Sequence, residues 1–240
     1  MNVSKSKWLL ATLLLVPVVL AGCGTNTPRP PTPTPVLPIS HEPPALDGGW
    51  TLATMQNEGF ALALPPGWIE FDLTAGDLQS GFSQMSKANP SMASILSDQI
   101  ASLAAQGIKL YAVESSGSFQ TTGFASNLNV VKEPVPAKTS LDALTQQSLD
   151  EMKQQLNIGQ DVKFFKNRLN INSGEAERVQ YSLNMNTPTG KSVAASFSQY
   201  IAINGGNAYI LTYTTTEDQF AQYSETFDKS AKSLTFLSDN

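Results

Sequence analysis

The chain predicts an α+β domain, a three-layer α/β/α sandwich around a mainly antiparallel sheet. Three observations carry that prediction. After Val162, four strand-like segments follow one another without an intervening helix, as a meander of antiparallel strands does and a parallel sheet does not. Amphipathic helices are expected both before and after that meander, so helices are available to cover both faces. Glycine and asparagine separate the segments at turn spacing, and no internal repeat interrupts them.

Phe60 to Leu64 reads as the first strand, stopped by Pro65-Pro66-Gly67 and flanked by Trp50 and Trp68. Glu70 and Asp72 follow on a second short extended stretch, two residues apart and therefore on one face. Asn89 and Pro90 open a helix, the first as N-cap and the second in the opening turn. Its apolar residues Met92, Ile95, Leu96, Ile100 and Leu103 keep helical spacing, and Gly107 stops it. Lys109 to Glu114 and Ser126 to Lys132 are expected as strands. Thr139, with Asp142 three residues on, starts a second helix in capping-box fashion. Leu141, Leu144, Leu149, Met152 and Leu156 form its buried stripe, and Gly159 lies past its end.

The four-strand run begins with Val162 to Ile171, which turns at Asn172-Ser173-Gly174. Arg178 to Met185 then alternates cleanly. Val179, Tyr181, Leu183 and Met185 take one face; Arg178, Gln180, Ser182 and Asn184 take a less dry one. Thr187 to Gly190 turns the chain into Ser192 to Ile203. Asn204-Gly205-Gly206 is a hairpin signal leading into Ala208 to Thr214. Thr216, with Gln219 at the capping-box position, begins a last helix whose apolar stripe is Phe220, Tyr223, Phe227, Ala231 and Leu234.

Ahead of this domain, expected over 47–240, the order of parts is that of an exported, lipidated protein. Lys5 and Lys7 precede an apolar stretch from Trp8 to Leu20. It has the length of a signal h-region and falls below the roughly 20 residues that span a bilayer. Leu20-Ala21-Gly22-Cys23 resembles the lipobox of bacterial lipoproteins, with cleavage between Gly22 and Cys23 and acyl chains, palmitate among them, on the sole cysteine. The expected location is the cell membrane, lipid-anchored and facing outside the cytoplasm. Residues 23–46 form a stalk holding eight of the fifteen prolines, among them Thr32-Pro33-Thr34-Pro35. Such a segment has little to bury and no regular hydrogen-bond ladder, so it is expected to be extended and solvated.

The precursor's formal charge is −5, and removing Lys5 and Lys7 leaves thirteen basic against twenty acidic residues, a formal −7. An acidic domain repels nucleic acid, which is therefore not an expected partner. With Cys23 lipidated, no cysteine remains for a disulfide, a thiolate nucleophile or a metal site.

Gly59-Phe60-Ala61-Leu62-Ala63-Leu64-Pro65-Pro66-Gly67-Trp68 resembles the opening strand and turn of the PsbP-like superfamily. Asn127-Leu128-Asn129-Val130-Val131 with the helix from Leu141 resembles its middle. Ala208 to Tyr213, then Phe227 and Ser233-Leu234, resembles its end. The stretch from Thr74 to Gly107 departs from the pattern by its length and its added helix. The resemblance implies an α/β/α sandwich and binding or assembly-assisting roles, without a shared catalytic centre.

The residues point the same way. The sole histidine, His41, lies in the stalk, so residues 47–240 offer no imidazole as general base or zinc ligand. Thr189-Gly190-Lys191-Ser192 imitates the end of a phosphate loop, but Met185 stands where the first glycine belongs and no helix follows. Asp142, Asp150 and Glu151 are expected on the solvated side of their helix, and Asp72 to Asp77 is at most a weak cation loop. The leading expectation is therefore a non-enzymatic, surface-exposed module, without cofactor or metal, for a protein partner in the envelope. Trp68 and Tyr200 are its candidate contacts, while core packing is the ordinary role of Trp50, Tyr209 and Tyr213. Two alternatives remain: a glycan hydrolase using paired carboxylates about 5–10 Å apart, and small-ligand capture for a transporter, which needs an apolar pocket between sheet and helix.

Overall fold

Asn204-Gly205-Gly206-Asn207 closes the hairpin at the centre of the sheet. Gly205 and Gly206 have φ of 55° and 76°, the positive values that a two-residue primed turn requires, and Asn204 pairs directly with Asn207. The computed structural model describes residues 40–74, 78–115, 119, 123–155, 162–187 and 190–237. Cys23 with its leader, the stalk as far as residue 39, Asp77, Leu156, Gly159, Pro188 and Thr189 lie outside the described residues.

The strands are β1 (Thr51–Met55), β2 (Phe60–Leu64), β3 (Trp68–Asp72), β4 (Ile108–Glu114), β5 (Asn127–Pro134), β6 (Phe165–Ile171), β7 (Gly174–Asn186), β8 (Ser192–Asn204), β9 (Asn207–Thr216) and β10 (Thr235–Phe236). The helices are α1 (Gln79–Ala88), α2 (Pro90–Ala105), α3 (Leu141–Gln155) and α4 (Phe220–Lys232). Seven strands form one sheet in the order β3-β4-β5-β9-β8-β7-β6, and β1-β2-β10 form a second. Every pairing in both sheets is antiparallel.

The large sheet is the middle layer. On one face lie α4 and the small sheet: Phe227, Ala231 and Leu234 pack with Phe60, Leu62, Tyr200, Leu211 and Tyr213 in the main core. On the other face α2 covers Ile69, Phe71 and Tyr111 through Met92, Leu96, Ile100 and Leu103. Further along, α3 covers Val179, Tyr181, Ala195 and Phe197 through Leu149 and Met152, and Ile201 and Ile210 through Leu144. This is the three-layer α+β arrangement that the alternating strands and helix stripes predict. The clean alternation in β7 divides as expected, Val179 and Tyr181 buried under α3 and Ser182 exposed.

Local signals hold in places and shift in others. Asn89 caps α2, its Oδ1 accepting from the Met92 N–H at 3.2 Å. The cap of α3 moves one residue: Ser140 Oγ accepts from the Ala143 N–H, while the Thr139 hydroxyl donates back to the Pro136 carbonyl. Thr216 likewise bonds the Gln219 side chain and α4 begins beyond it, at Phe220. The stalk's end also moves. Sequence composition places it at residue 46, yet the chain is docked from Ser40 on. The Ser40 N–H donates to the Asn172 carbonyl at 3.1 Å, His41 Nδ1 lies 3.0 Å from the Phe236 carbonyl, and Asn172 Nδ2 donates to the Glu42 carbonyl at 2.8 Å. The turn at Asn172 and Ser173, closed by Gly174 between β6 and β7, presents the groups that hold this strap.

Candidate functional site

Alternation puts Lys163, Phe165, Gln180, Ser182, Ser196, Ser198 and Tyr200 on the face that carries α4, since Phe165 pairs with Gln180 and Gln180 with Ser198. The helix covers only part of that face. Near Tyr200 it closes down: Asp228 accepts from Arg178 Nη1 at 2.7 and 2.9 Å and from the Tyr200 hydroxyl at 2.5 Å. Burial, and then the bond to Asp228, push the Tyr200 phenol well above its ordinary range. Toward the other end of the strands the face opens into a groove of about 530 Å³.

Phe165 and Phe220 are the groove's aromatic walls, and Gln180, Ser182 and Ser196 are its polar groups. The Ser182 and Ser196 hydroxyls bond each other at 2.8 Å, and Gln180 Nε2 donates to Ser198 Oγ at 3.1 Å. Among the described residues lining it, Lys163 alone is charged. Phe165 is 64% exposed, the most exposed large apolar side chain among the described residues. It also begins an edge strand, because β6 pairs with β7 and with no other described strand. A ring held open beside hydroxyls and an amide can stack on or enclose an apolar group while the floor satisfies a polar backbone.

The candidate contacts named from sequence are not on the surface. Trp68 is 8% exposed and packs edge-on against Phe227, with centroids 6.2 Å apart. Tyr200 is 1% exposed and stands edge-on to Tyr213. Both are core residues, because α4 lies over them. Tyr209 and Tyr213 are buried as expected, and Trp50 stays partly exposed under the Lys229 ammonium, 4.6 Å from its ring. The less dry sheet face is therefore the open one, but at Phe165 rather than Tyr200. Composition around Phe165 contains a signal that was passed over: Phe164 and Phe165 are adjacent in a strand, so one of them must face away from α3.

The carboxylates are dispersed. Glu70 and Asp72 share a face of β3; burial and then the Asp72 charge raise the Glu70 pKa. Asp72 Oδ1 is engaged by the Thr74 N–H and hydroxyl at 2.8 and 2.7 Å, which closes a local turn. Asp142 meets Arg168, which also lies 3.8 Å from Glu175 and 3.7 Å from Glu177. Asp150 and Glu151 accept from Gln146 and Gln147, one turn earlier in α3. Among the described residues no three His, Cys, Asp or Glu side chains are placed to hold a metal. Sequence reasoning missed Glu133, which is 8% exposed and whose pKa burial, and then Glu151, push up to about 7. The Lys191 segment is a hairpin turn: the Gly190 N–H donates to the Thr187 carbonyl at 2.9 Å. A second cavity, of about 100 Å³ and apolar, lies between α2 and the sheet. Among the described residues, no aspartate or glutamate lines either cavity.

The PsbP family model matches residues 52–236. The chain belongs to the PsbP family. The match takes in both sheets and all four helices, including the Thr74–Gly107 stretch with α1 and α2. Solved structures similar to this PsbP-family domain include cyanobacterial PsbP (CyanoP) from Synechocystis sp. PCC 6803. It is 16% identical with a TM-score of 0.45, over 78% of this chain and 92% of that one. LpqN of Mycobacterium tuberculosis, involved in cell envelope biogenesis, is 8% identical with a TM-score of 0.43, over 83% and 92%. The Saccharomyces cerevisiae Ran-binding protein Mog1p is 8% identical with a TM-score of 0.45, over 78% and 95%. No curated protein matches the chain.

Proposed function

We propose that this protein is a membrane-tethered binding module of the cell envelope, anchored by acyl chains on Cys23 and docking a protein partner in the Phe165 groove. One observation carries the docking half: a phenylalanine 64% exposed at the mouth of a polar-floored groove. Leaving such a ring in water forgoes about 1.5–3 kcal/mol of burial, which a partner can supply. Lys163 gives the groove a basic margin on an acidic domain. An extended segment bearing an apolar side chain and an acidic group complements both, and the unpaired edge of β6 offers backbone groups to the same segment. The anchoring half rests on the lipobox-like Leu20-Ala21-Gly22-Cys23. The tether supports the arrangement: it reaches the domain at Asn172, at the far end of β6 from Phe165. That separation is roughly 20 Å along the strand, so an anchored domain can present the groove away from its attachment point.

Photo-crosslinking from position 163 of the lipidated protein in its native membrane tests the proposal. We expect a reproducible adduct, reduced at least tenfold by Phe165→Ala and unaffected by Leu52→Ala, which removes an exposed side chain on the small sheet. Loss of a central aromatic contact commonly has an effect of that size. An adduct indifferent to Phe165 would overturn the site. Cys23→Ser is expected to abolish acyl-chain labelling and release or misprocess the protein; unchanged retention in the membrane would defeat the anchor.

A further inference from the structure

The apolar cavity between α2 and the sheet lies on the opposite face from the Phe165 groove, and a separate set of observations bears on it. Met92, Ile95 and Leu96 of α2 form one wall, and Tyr111, Val113 and Met185 another. Its volume of about 100 Å³ compares with the ~150 Å³ of a dry apolar cavity that takes up benzene. It has room for about one ring or a few methylenes. The two methionines make the walls adaptable, since an unbranched thioether can reshape around a guest. Among the described residues no charged one lines the cavity; its polar members are the amides Gln99, Asn127 and Asn186 and the hydroxyls of Tyr111 and Thr187. A charged guest would be left unpaired there at a cost of several kcal/mol.

Tyr111 supplies the second clue. Its side chain is 9% exposed and lines the cavity, where it offers a phenolic hydroxyl beside the apolar walls. Burial also pushes its pKa above the ordinary range, so it remains a neutral donor and acceptor.

We infer that this cavity is a binding site for a small, uncharged, largely apolar molecule of about one ring with a single hydrogen-bonding atom, held through Tyr111. It is a site independent of the partner groove. Its occupant differs in class, and the lining residues of the two do not overlap.

Methionine-methyl NMR of the folded protein reads the site directly, with indole as the probe and indole-3-acetate as its charged counterpart. Indole should shift the Met92 and Met185 methyl signals saturably and leave Met55, which packs in the core of the opposite face, unmoved. Indole-3-acetate should bind at least tenfold more weakly. Tyr111→Phe should weaken indole about fivefold while leaving toluene unchanged, an outcome that a merely structural tyrosine would not produce. Ala125→Leu, or the more surface-placed Ile95→Phe should the first fail to fold, fills the space and should abolish the shifts. No saturable response at Met92 and Met185, or binding that persists in a folded filled variant, would overturn the inference. Neither result touches the Phe165 groove, whose readout is the crosslinked adduct.

Discussion

Glu133 and Tyr200 show what burial does to single ionisable side chains in this domain. Tyr200 loses water but gains Asp228, which itself holds Arg178, so each polar group in that chain has a partner. Glu133 is less well served: its Oε1 is buried without a hydrogen bond, as is Oε2 of Glu151. The carboxyl therefore stays protonated to higher pH, about 7 against an ordinary 4.5. The folded state then binds this proton more tightly than the unfolded chain does. Its contribution to stability is complete below about pH 4.5 and is lost as pH rises through about 7. Glu133→Gln keeps the shape and removes the charge. It should leave stability near pH 4.5 almost unchanged and raise it at pH 8 by roughly 1–2 kcal/mol. Urea midpoints at the two pH values measure this; equal shifts at both would refute it.

Among the elements, α1 depends most on its neighbour. Gly81 and three serines give Gln79–Ala88 poor helix propensity, and Phe82 and Met85 are its only large apolar residues. No helix is expected from the sequence before Asn89, so α1 is an addition. It forms because Gly81 lets the helix backbone lie against β3: a Cβ at that position would meet the Glu70 carbonyl oxygen at 2.6 Å and the Phe71 ring at 2.7 Å. Phe82 then stacks edge-on against Phe71 at 5.3 Å. Propensity alone predicts that Gly81→Ala stabilises by about 1 kcal/mol. The close approach reverses the sign, since β3 must move, and a net loss of roughly 1–3 kcal/mol is expected. Denaturant unfolding decides between them; a gain in stability would show that α1 sits further from β3. The strands β1 and β10 were missed for a related reason. Thr51–Met55 and Thr235–Phe236 are short, and each acquires its ladder only by pairing with β2.

For the whole molecule, the strap from residue 40 holds distant parts of the domain together. It ties the β6–β7 turn to the end of β10, elements separated by some sixty residues of chain. A chain beginning at Asp47 loses the bonds of Ser40, His41 and Glu42, and should be less stable than one beginning at Ser40 by roughly 1–3 kcal/mol. Thermal unfolding of the two tests this, and equal midpoints would remove the strap from the folded unit. Net charge belongs to the same scale. The chain's formal −5 falls unevenly, leaving Lys163 near an exposed ring. In the proposed docking, that unevenness, more than the total, favours an acidic segment.

Local chemistry was sufficient for what the sequence determined by itself. A Gly-Gly turn, an Asn-Pro helix start and the period of apolar residues act over a few neighbours, so the hairpin, α2, α3, α4 and the faces of β7 could be read directly. The family was legible for the same reason, through the Phe60 strand with its Pro-Pro-Gly turn and the stripe of the last helix. Tertiary structure alone decided which side chains of one face meet water. Phe165 and Tyr200 lie on the same face by alternation, yet one is 64% exposed and the other 1%. The difference is the path of α4, fixed by Asp228 reaching across to Arg178 and Tyr200, residues 50 and 28 positions away in the chain. Periodicity within a strand carries no record of where a helix so distant in sequence will end, and so the groove became visible only once the helix was in place.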